Sequence, residues 1–146
     1  GDSWLGSASQ PDNSTGLPVF YRGSHLLAAL FAELRRELWG VQEVLYAGCS
    51  AGALTTFLHI DALASMLPDT VRIRGLGDAM FDLDTANPSA SWPQNMTFPM
   101  QMQRGLALWN GSGSLPSACV AHFGSGAAWR CLFGANAVPF AATPTF

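Results

Sequence analysis

The chain has 146 residues, a length that suits one globular domain. Hydrophobic residues make up 49% of it and charged residues only 12%, a balance that excludes an intrinsically disordered chain. The formal net charge is −3, and the seven Lys/Arg positions are all arginine and form no basic run, which argues against nucleic-acid binding. Three cysteines without a Cys-x-x-Cys motif or a Cys/His cluster predict no metal site.

The first part of the chain predicts a loop followed by alternating helices and strands. Residues 1–18 are rich in Gly, Ser, Asp, Asn and Pro and are expected to form a surface loop. Leucine and phenylalanine then recur at helical spacing, which predicts an amphipathic helix over 23–38 that Gly40 ends. A strand is expected over about 42–47, and a second helix extends to about Met66.

The alternation continues in the second half. A strand is predicted over 71–76, and its carboxyl end leads into the run Gly77–Asp84. The polar, proline-containing stretch 85–98 predicts a loop near the mouth of a site, a short helix is expected over 99–109, and a compact helical segment over 116–137. This order predicts the α/β class, as the central portion of a doubly wound, α/β-hydrolase-like sheet whose sites lie beyond the carboxyl ends of its strands.

One motif predicts a catalytic residue. The run Gly48-Cys49-Ser50-Ala51-Gly52 separates the first strand from the second helix, which is the context of a nucleophile elbow. Ser50 is therefore the candidate nucleophile, the backbone N–H of Ala51 is a candidate oxyanion donor, and Cys49 is expected to be a small buried residue beside them. Since Gly-x-Ser-x-Gly also arises by chance, a purely structural turn that needs small residues is the alternative.

No equally specific motif places a histidine and an aspartate beside Ser50. His25 and His59 fall on predicted helices, where a hydrogen-bonded structural histidine is typical. His122 is a weak candidate for the base. Asp78 and Asp84 follow Ser50 in a suitable order, but Asp78 is expected to hold the loop after its strand by accepting backbone N–H bonds.

Several features favour a secreted protein. Asn-x-Ser/Thr sequons begin at Asn13, Asn95 and Asn110, each near turn-forming residues, and predict surface glycans. In an oxidising compartment Cys119 and Cys131 are able to pair across a short loop, although two unpaired buried thiols are the alternative. No stretch approaches the roughly 20 apolar residues that a membrane span needs.

Seven blocks of residues stand in a particular order from about Phe20 to the end. They are Phe20-Tyr21-Arg22-Gly23, Gly48-Cys49-Ser50-Ala51-Gly52, Arg74-Gly75-Leu76-Gly77-Asp78, Phe81-Asp82-Leu83-Asp84, Gln103-Arg104-Gly105-Leu106-Ala107-Leu108-Trp109-Asn110-Gly111, Cys119, and Trp129-Arg130-Cys131-Leu132-Phe133-Gly134. Together they resemble the pectin acetylesterase family, which includes the Notum carboxylesterases. Where that family often has Gly-Gly, this chain has Gly52-Ala53, a departure that the start of a helix should tolerate.

The resemblance implies an α/β-hydrolase fold and ester hydrolysis without a cofactor, by serine, aspartate and histidine in that chain order. Only Ser50 of this triad carries over. The family's aspartate would follow a strand that begins near 144–146, and its histidine would come later. We therefore interpret residues 1–146 as a fragment of one domain that is inactive in isolation. The resemblance also implies a disulfide between Cys119 and Cys131.

The implied substrates are acyl esters. We expect a secreted serine carboxylesterase, with the cell wall as a candidate location, that deacetylates pectin or a related polysaccharide; the alternatives are a Notum-type protein deacylase, a peptidase or thioesterase, and a non-catalytic binding protein on the same fold. We assign Phe81, Leu132 and Phe133 to the substrate pocket, with core packing as the alternative.

Overall fold

The computed structural model describes residues 2–83 and 96–146. Its α-helices and β-strands within these ranges are, in chain order, α1 Gly23–Glu37, β1 Glu43–Cys49, α2 Ala51–Ala64, β2 Arg72–Asp78, α3 Phe98–Trp109, α4 Ser117–Phe123 and α5 Gly134–Ala137. Short 3₁₀ helices cover Ser112–Ser114, Ser125–Leu132 and Val138–Phe140. The predicted order of helices and strands is confirmed. Strand β1 extends two residues beyond its predicted end to Cys49, so α2 starts directly after Ser50.

The two strands are parallel neighbours, paired from Glu43 opposite Arg72 to Cys49 opposite Asp78. Thr145 forms a further parallel bridge to Gly75. The strand expected near residues 144–146 therefore does begin beside β2. Since all three segments run in the same direction, the carboxyl ends of β1 and β2 lie at one edge, and the turn containing Ser50 lies at that edge.

Helix α2 packs against one face of this sheet, and its residues 53–60 and Leu63 are buried. Eight consecutive buried residues cover every side of the helix over about two turns, as expected for a helix in a core. Residues of the strands alternate between the face that meets α2 and the opposite face. Cys49, Leu45 and Leu76 point to the opposite face and are exposed. The prediction that Cys49 is buried is therefore wrong, because α2 covers the other side of its strand.

Two clusters of buried side chains hold the elements together. The larger one joins α2 to the helical segments of the second half, and its buried members are Leu5, Leu54, Leu58, Leu106, Leu115, Cys119, Ala128, Cys131, Leu132 and Ala137. The smaller one packs α1 onto α2 through Leu27, Phe31 and Leu63. Burial of apolar area in these clusters is the main source of stability.

Two predicted loops differ from expectation. Leu5 is fully buried, so the segment 1–18 enters the core near its start instead of remaining on the surface throughout. The predicted loop 85–98 lies mostly outside the described residues, and Phe98 at its end already belongs to α3, whose first turn Thr97 caps by accepting the N–H of Met100. Among the described helices, none has the length and apolar character needed to cross a membrane.

Candidate active site

Ser50 is the one residue between β1 and α2. Its backbone has φ 54° and ψ −125°, a conformation that is strained for any residue other than glycine. The residue is exposed. A strained turn from a strand into a helix is the geometry that presents the serine of a nucleophile elbow to substrate. The backbone at Ser50 therefore suits a nucleophile, and its catalytic role stays a prediction.

Of the two glycines in the elbow, only Gly48 lies in a crowded position. A Cβ added at Gly48 would overlap the carbonyl group of Gly52, so no larger residue fits there without moving the turn. A Cβ added at Gly52 would meet nothing within 4 Å. The Ser50 N–H donates to the carbonyl oxygen of Asp78 at 2.9 Å, which ties the turn to the end of β2. The close approach at Gly48 and this hydrogen bond together fix the position of the serine.

The backbone N–H of Ala51 begins α2, and no hydrogen bond joins it to an acceptor within the described ranges. It lies beside an open groove of about 540 Å³. The groove is lined by the start of α2, by the N-terminal segment and by the residues that lead into α1, including Trp4, Phe20 and Tyr21. An unpaired N–H at a helix N-terminus favours negative charge, so the site suits an oxyanion formed on a group attacked by Ser50.

The N-terminal segment is anchored by Asp2, which sequence reasoning missed. The Asp2 carboxylate accepts the N–H of Trp4 at 3.1 Å and the N–H of Gly23 at 2.9 Å. A side chain at Gly6 or Gly23 would overlap this carboxylate, so these two glycines make room for it. Local spacing in the sequence gives no signal for a contact over 21 residues.

None of the three histidines has a described contact with Ser50. His59 lies nine residues along α2, about 13 Å at the helical rise, and its Nε2 atom is 3.1 Å from the Ser3 carbonyl oxygen. His25 is exposed on α1. His122 is exposed beside the rings of Phe123 and Phe140, with centroids 4.7 and 5.1 Å away. The prediction of a hydrogen-bonded structural histidine fits His59, whereas the exposed position of His25 does not support it.

The three predicted pocket residues occupy different environments. Leu132 and Phe133 are buried, Leu132 within the larger cluster and Phe133 against the rings of Phe98 and Trp129. Phe81 follows β2, is 57% exposed and packs its ring edge-on to Phe57. None of the three lines the groove beside Ala51. Their assignment to a substrate pocket stays a prediction, and Phe81 is the only one of the three with an exposed surface.

Cys119 and Cys131 form a disulfide with both residues fully buried. Of the predicted glycan acceptors, Asn13 and Asn110 are exposed, and Asn110 also caps α3 and donates from Nδ2 to Ser7. Asn95 lies outside the described residues. Across residues 2–83 and 96–146, no group of three or more His, Cys, Asp or Glu side chains is arranged to hold a metal ion.

A solved structure shares this architecture. The Wnt deacylase Notum from Drosophila matches over 99% of this chain and 42% of its own, with a TM-score of 0.81 and 27% sequence identity. The parallel strands, the turn at Ser50 and this match define the class: the chain has an α/β-hydrolase-like fold.

The sequence comparisons give the family. The pectinacetylesterase family model matches residues 1–146, so the chain belongs to the pectinacetylesterase family. Palmitoleoyl-protein carboxylesterase NOTUM of Mus musculus is 29% identical over 153 residues, which cover 99% of this chain and 29% of that protein. Pectin acetylesterase 7 of Arabidopsis thaliana is 28% identical over 150 residues, 100% of this chain and 35% of that protein. The chain thus spans about a third of the length of these curated relatives.

Proposed function

We propose that the protein containing this chain is a serine carboxylesterase that hydrolyses O-acyl esters, with acetyl esters of pectin or a related cell-wall polysaccharide as its substrates. The observation that carries the proposal is the strained, exposed backbone of Ser50 next to the unpaired N–H of Ala51. Strain of about 1–3 kcal/mol persists at functional sites, and a binding protein without catalysis would have no need of it.

The proposed mechanism uses the elbow in two half-reactions. A histidine base takes the Ser50 hydroxyl proton as Oγ attacks the ester carbonyl carbon, and the Ala51 N–H stabilises the resulting oxyanion. The protonated base then gives its proton to the leaving alcohol oxygen, which leaves an acyl-enzyme on Ser50. Water attacks this acyl group by the same route and releases the acid.

We propose that the base and its aspartate partner come from outside residues 1–146. The positions of the three histidines support this, because His59 is bonded to Ser3 while His25 and His122 are exposed without a contact to Ser50. The 146-residue chain in isolation is then expected to hydrolyse esters orders of magnitude more slowly than the whole protein.

Two observations support a short acyl group and a carbohydrate alcohol. Leu132 and Phe133, the pair expected to line an acyl pocket, are buried in the core and do not line the groove beside Ala51. The groove beside Ala51 presents aromatic rings, including Trp4 and Phe20, and such faces suit sugar rings. The relatives named as palmitoleoyl-protein carboxylesterases are equally similar, so deacylation of a lipid-modified protein is the second candidate.

We also propose that the protein is secreted and carries glycans at its sequons. The disulfide between Cys119 and Cys131 supports an oxidising compartment, since such bonds are rare in the cytosol. The exposed side chains of Asn13 and Asn110 support glycan attachment at these two positions.

The first test is covalent trapping of the full-length protein with a fluorophosphonate probe. Wild-type protein should be labelled, and the labelled peptide should contain Ser50. Ser50→Ala should abolish labelling, whereas Ser65→Ala, a matched change near the other end of α2, should keep it. A wild-type protein that is not labelled would favour the non-catalytic binding protein and end the esterase proposal.

The second test separates the enzymes from one another. The full-length protein is given four substrates at equal concentration, and kcat/KM is compared among them. The substrates are acetylated pectin, a palmitoleoylated peptide, an acyl thioester and an unmodified peptide. Acetate release at a kcat/KM at least tenfold above that for the lipid ester supports the polysaccharide esterase. The reverse ranking supports the protein deacylase, and preference for the thioester or peptide overturns both.

A further inference from the structure

We infer that His59 is a positioning residue: it holds the carbonyl of Ser3 and thereby fixes the Ser3–Trp4 turn as one wall of the groove beside Ala51. The inference rests on the proposed function, in that the groove is taken to receive the alcohol part of the ester. His59 itself touches no reacting atom.

The contact defines which ring nitrogen of His59 donates a hydrogen bond. The Nε2 atom of His59 lies 3.1 Å from the Ser3 carbonyl oxygen, and a carbonyl oxygen only accepts hydrogen bonds. Nε2 therefore carries the proton and donates it. The side chain is 5% exposed, so solvent does not replace this donor if it is removed.

The turn that His59 holds needs external support. Ser3 and Trp4 both have positive φ values, 50° and 58°, in a region that non-glycine residues avoid. The turn is held from both sides: the Asp2 carboxylate accepts the Trp4 N–H at 3.1 Å, and His59 donates to the carbonyl of Ser3. Asp2 is itself fixed to the start of α1 through the N–H of Gly23 at 2.9 Å.

The turn that His59 holds is part of the candidate site. Asp2, Ser3 and Trp4 line the same groove as Ala51 and the residues that follow it in α2. Because His59 is on α2, one rigid helix carries the N–H beside Ser50 at its start and the anchor of the opposing wall about 12 Å further along. The hydrogen bond from His59 to Ser3 is therefore one of the contacts that set the width of the groove, beside the burial of Leu5 in the cluster that contains Leu54 and Leu58 of α2.

The test uses full-length protein and three variants. His59→Phe keeps a ring of similar volume but donates nothing, and His59→Gln restores an N–H donor at nearly the same reach. His122→Phe is the matched control, since His122 lies on α4 against Phe140, away from the N-terminal segment. The readouts are amide hydrogen exchange at Trp4 and Leu5, fluorophosphonate labelling of Ser50, and KM for acetylated pectin.

In His59→Phe we expect amide hydrogen exchange at Trp4 and Leu5 to accelerate about tenfold. We expect KM for the polysaccharide to rise about fivefold. Both changes have the size expected for the loss of one buried hydrogen bond. Labelling of Ser50 by the small probe should stay within about twofold of wild type, because the elbow is held by Asp78 and Gly48 instead. His59→Gln should recover most of both losses, and His122→Phe should show neither.

Exchange that stays at the wild-type rate in His59→Phe overturns the inference, whether or not the protein is an esterase. Faster exchange with an unchanged KM also overturns it, since His59 would then be only structural. Failure of wild-type labelling counts against the proposed function instead, and the exchange data still decide whether His59 holds the turn.

Discussion

The backbone N–H of Ser50 donates to the backbone carbonyl of Asp78 across 2.9 Å, so the end of one strand holds the turn at the end of its neighbour. Asp78 thus contributes to the site through its main chain, and its exposed carboxylate takes no described part. Asp78→Asn should therefore lower kcat/KM by less than tenfold. Replacing the aspartate of a catalytic triad costs about 10⁴ in kcat, and a loss of that size would identify Asp78 as the triad member after all.

The two glycines of the elbow should respond differently to substitution. Gly48→Ala places a methyl group on the Gly52 carbonyl, so it should destabilise the fold by more than about 2 kcal/mol and reduce probe labelling. Gly52→Ala meets open space inside a helix and should be neutral or stabilising by up to about 1 kcal/mol. Urea denaturation of both variants measures the difference between their free energies of unfolding. Equal destabilisation would contradict the asymmetry of the turn.

Stability should fall in mild acid because of His59. Burial lowers the pKa of His59, while the hydrogen bond to Ser3 and the charge of Asp2 partly offset this effect. Below its ordinary pKa of about 6.5 the unfolded chain binds a proton that the folded chain resists. The free energy of unfolding should then be level above pH 6.5 and decrease as the pH drops below it.

Denaturation at pH 8, 6.5 and 5 tests this dependence. His59→Phe lacks the titrating ring, so the difference in unfolding free energy between wild type and this variant should narrow towards pH 5. His122→Phe, which leaves His59 in place, should keep the wild-type decrease. A wild-type protein whose stability rises as the pH falls through 6.5 would show that the ring is protonated in the folded state.

The disulfide between Cys119 and Cys131 should stabilise the second half of the chain. It closes a short loop within the larger buried cluster, with a sequence separation of 12. Cys119→Ala together with Cys131→Ala should lower the free energy of unfolding by about 3 kcal/mol. Cys49→Ala is the matched control, since this thiol is free and exposed, and it should change stability by less than about 0.5 kcal/mol.

The elbow could be predicted from the sequence because its determinants are local. An apolar strand, a Gly-x-Ser-x-Gly turn and a helical pattern follow one another within about twenty residues, and the structure has each of them. The anchoring of the N-terminal segment could not be predicted in this way. It depends on contacts from Asp2 to Gly23 and from Ser3 to His59, the latter separated by 56 residues.

The burial of Cys49 was predicted wrongly for a related reason. Periodicity identifies the two faces of a strand, but it does not show which face a helix covers, and Cys49 lies on the face that α2 leaves open. The run Leu132-Phe133 is equally apolar whether it lines a pocket or fills a core, and only its contacts with α3 and with Trp129 distinguish these cases. The turn that contains Ser50 was therefore easier to predict than the burial of the residues around it.

Because Ser50 has a positive φ, a substitution that stabilises the fold at this position would remove the proposed activity. Glycine adopts this backbone without strain, so Ser50→Gly should give a protein that melts at a higher temperature and hydrolyses nothing. A stability-guided redesign of this domain would choose that substitution early and lose the Ser50 hydroxyl group that the proposed function requires.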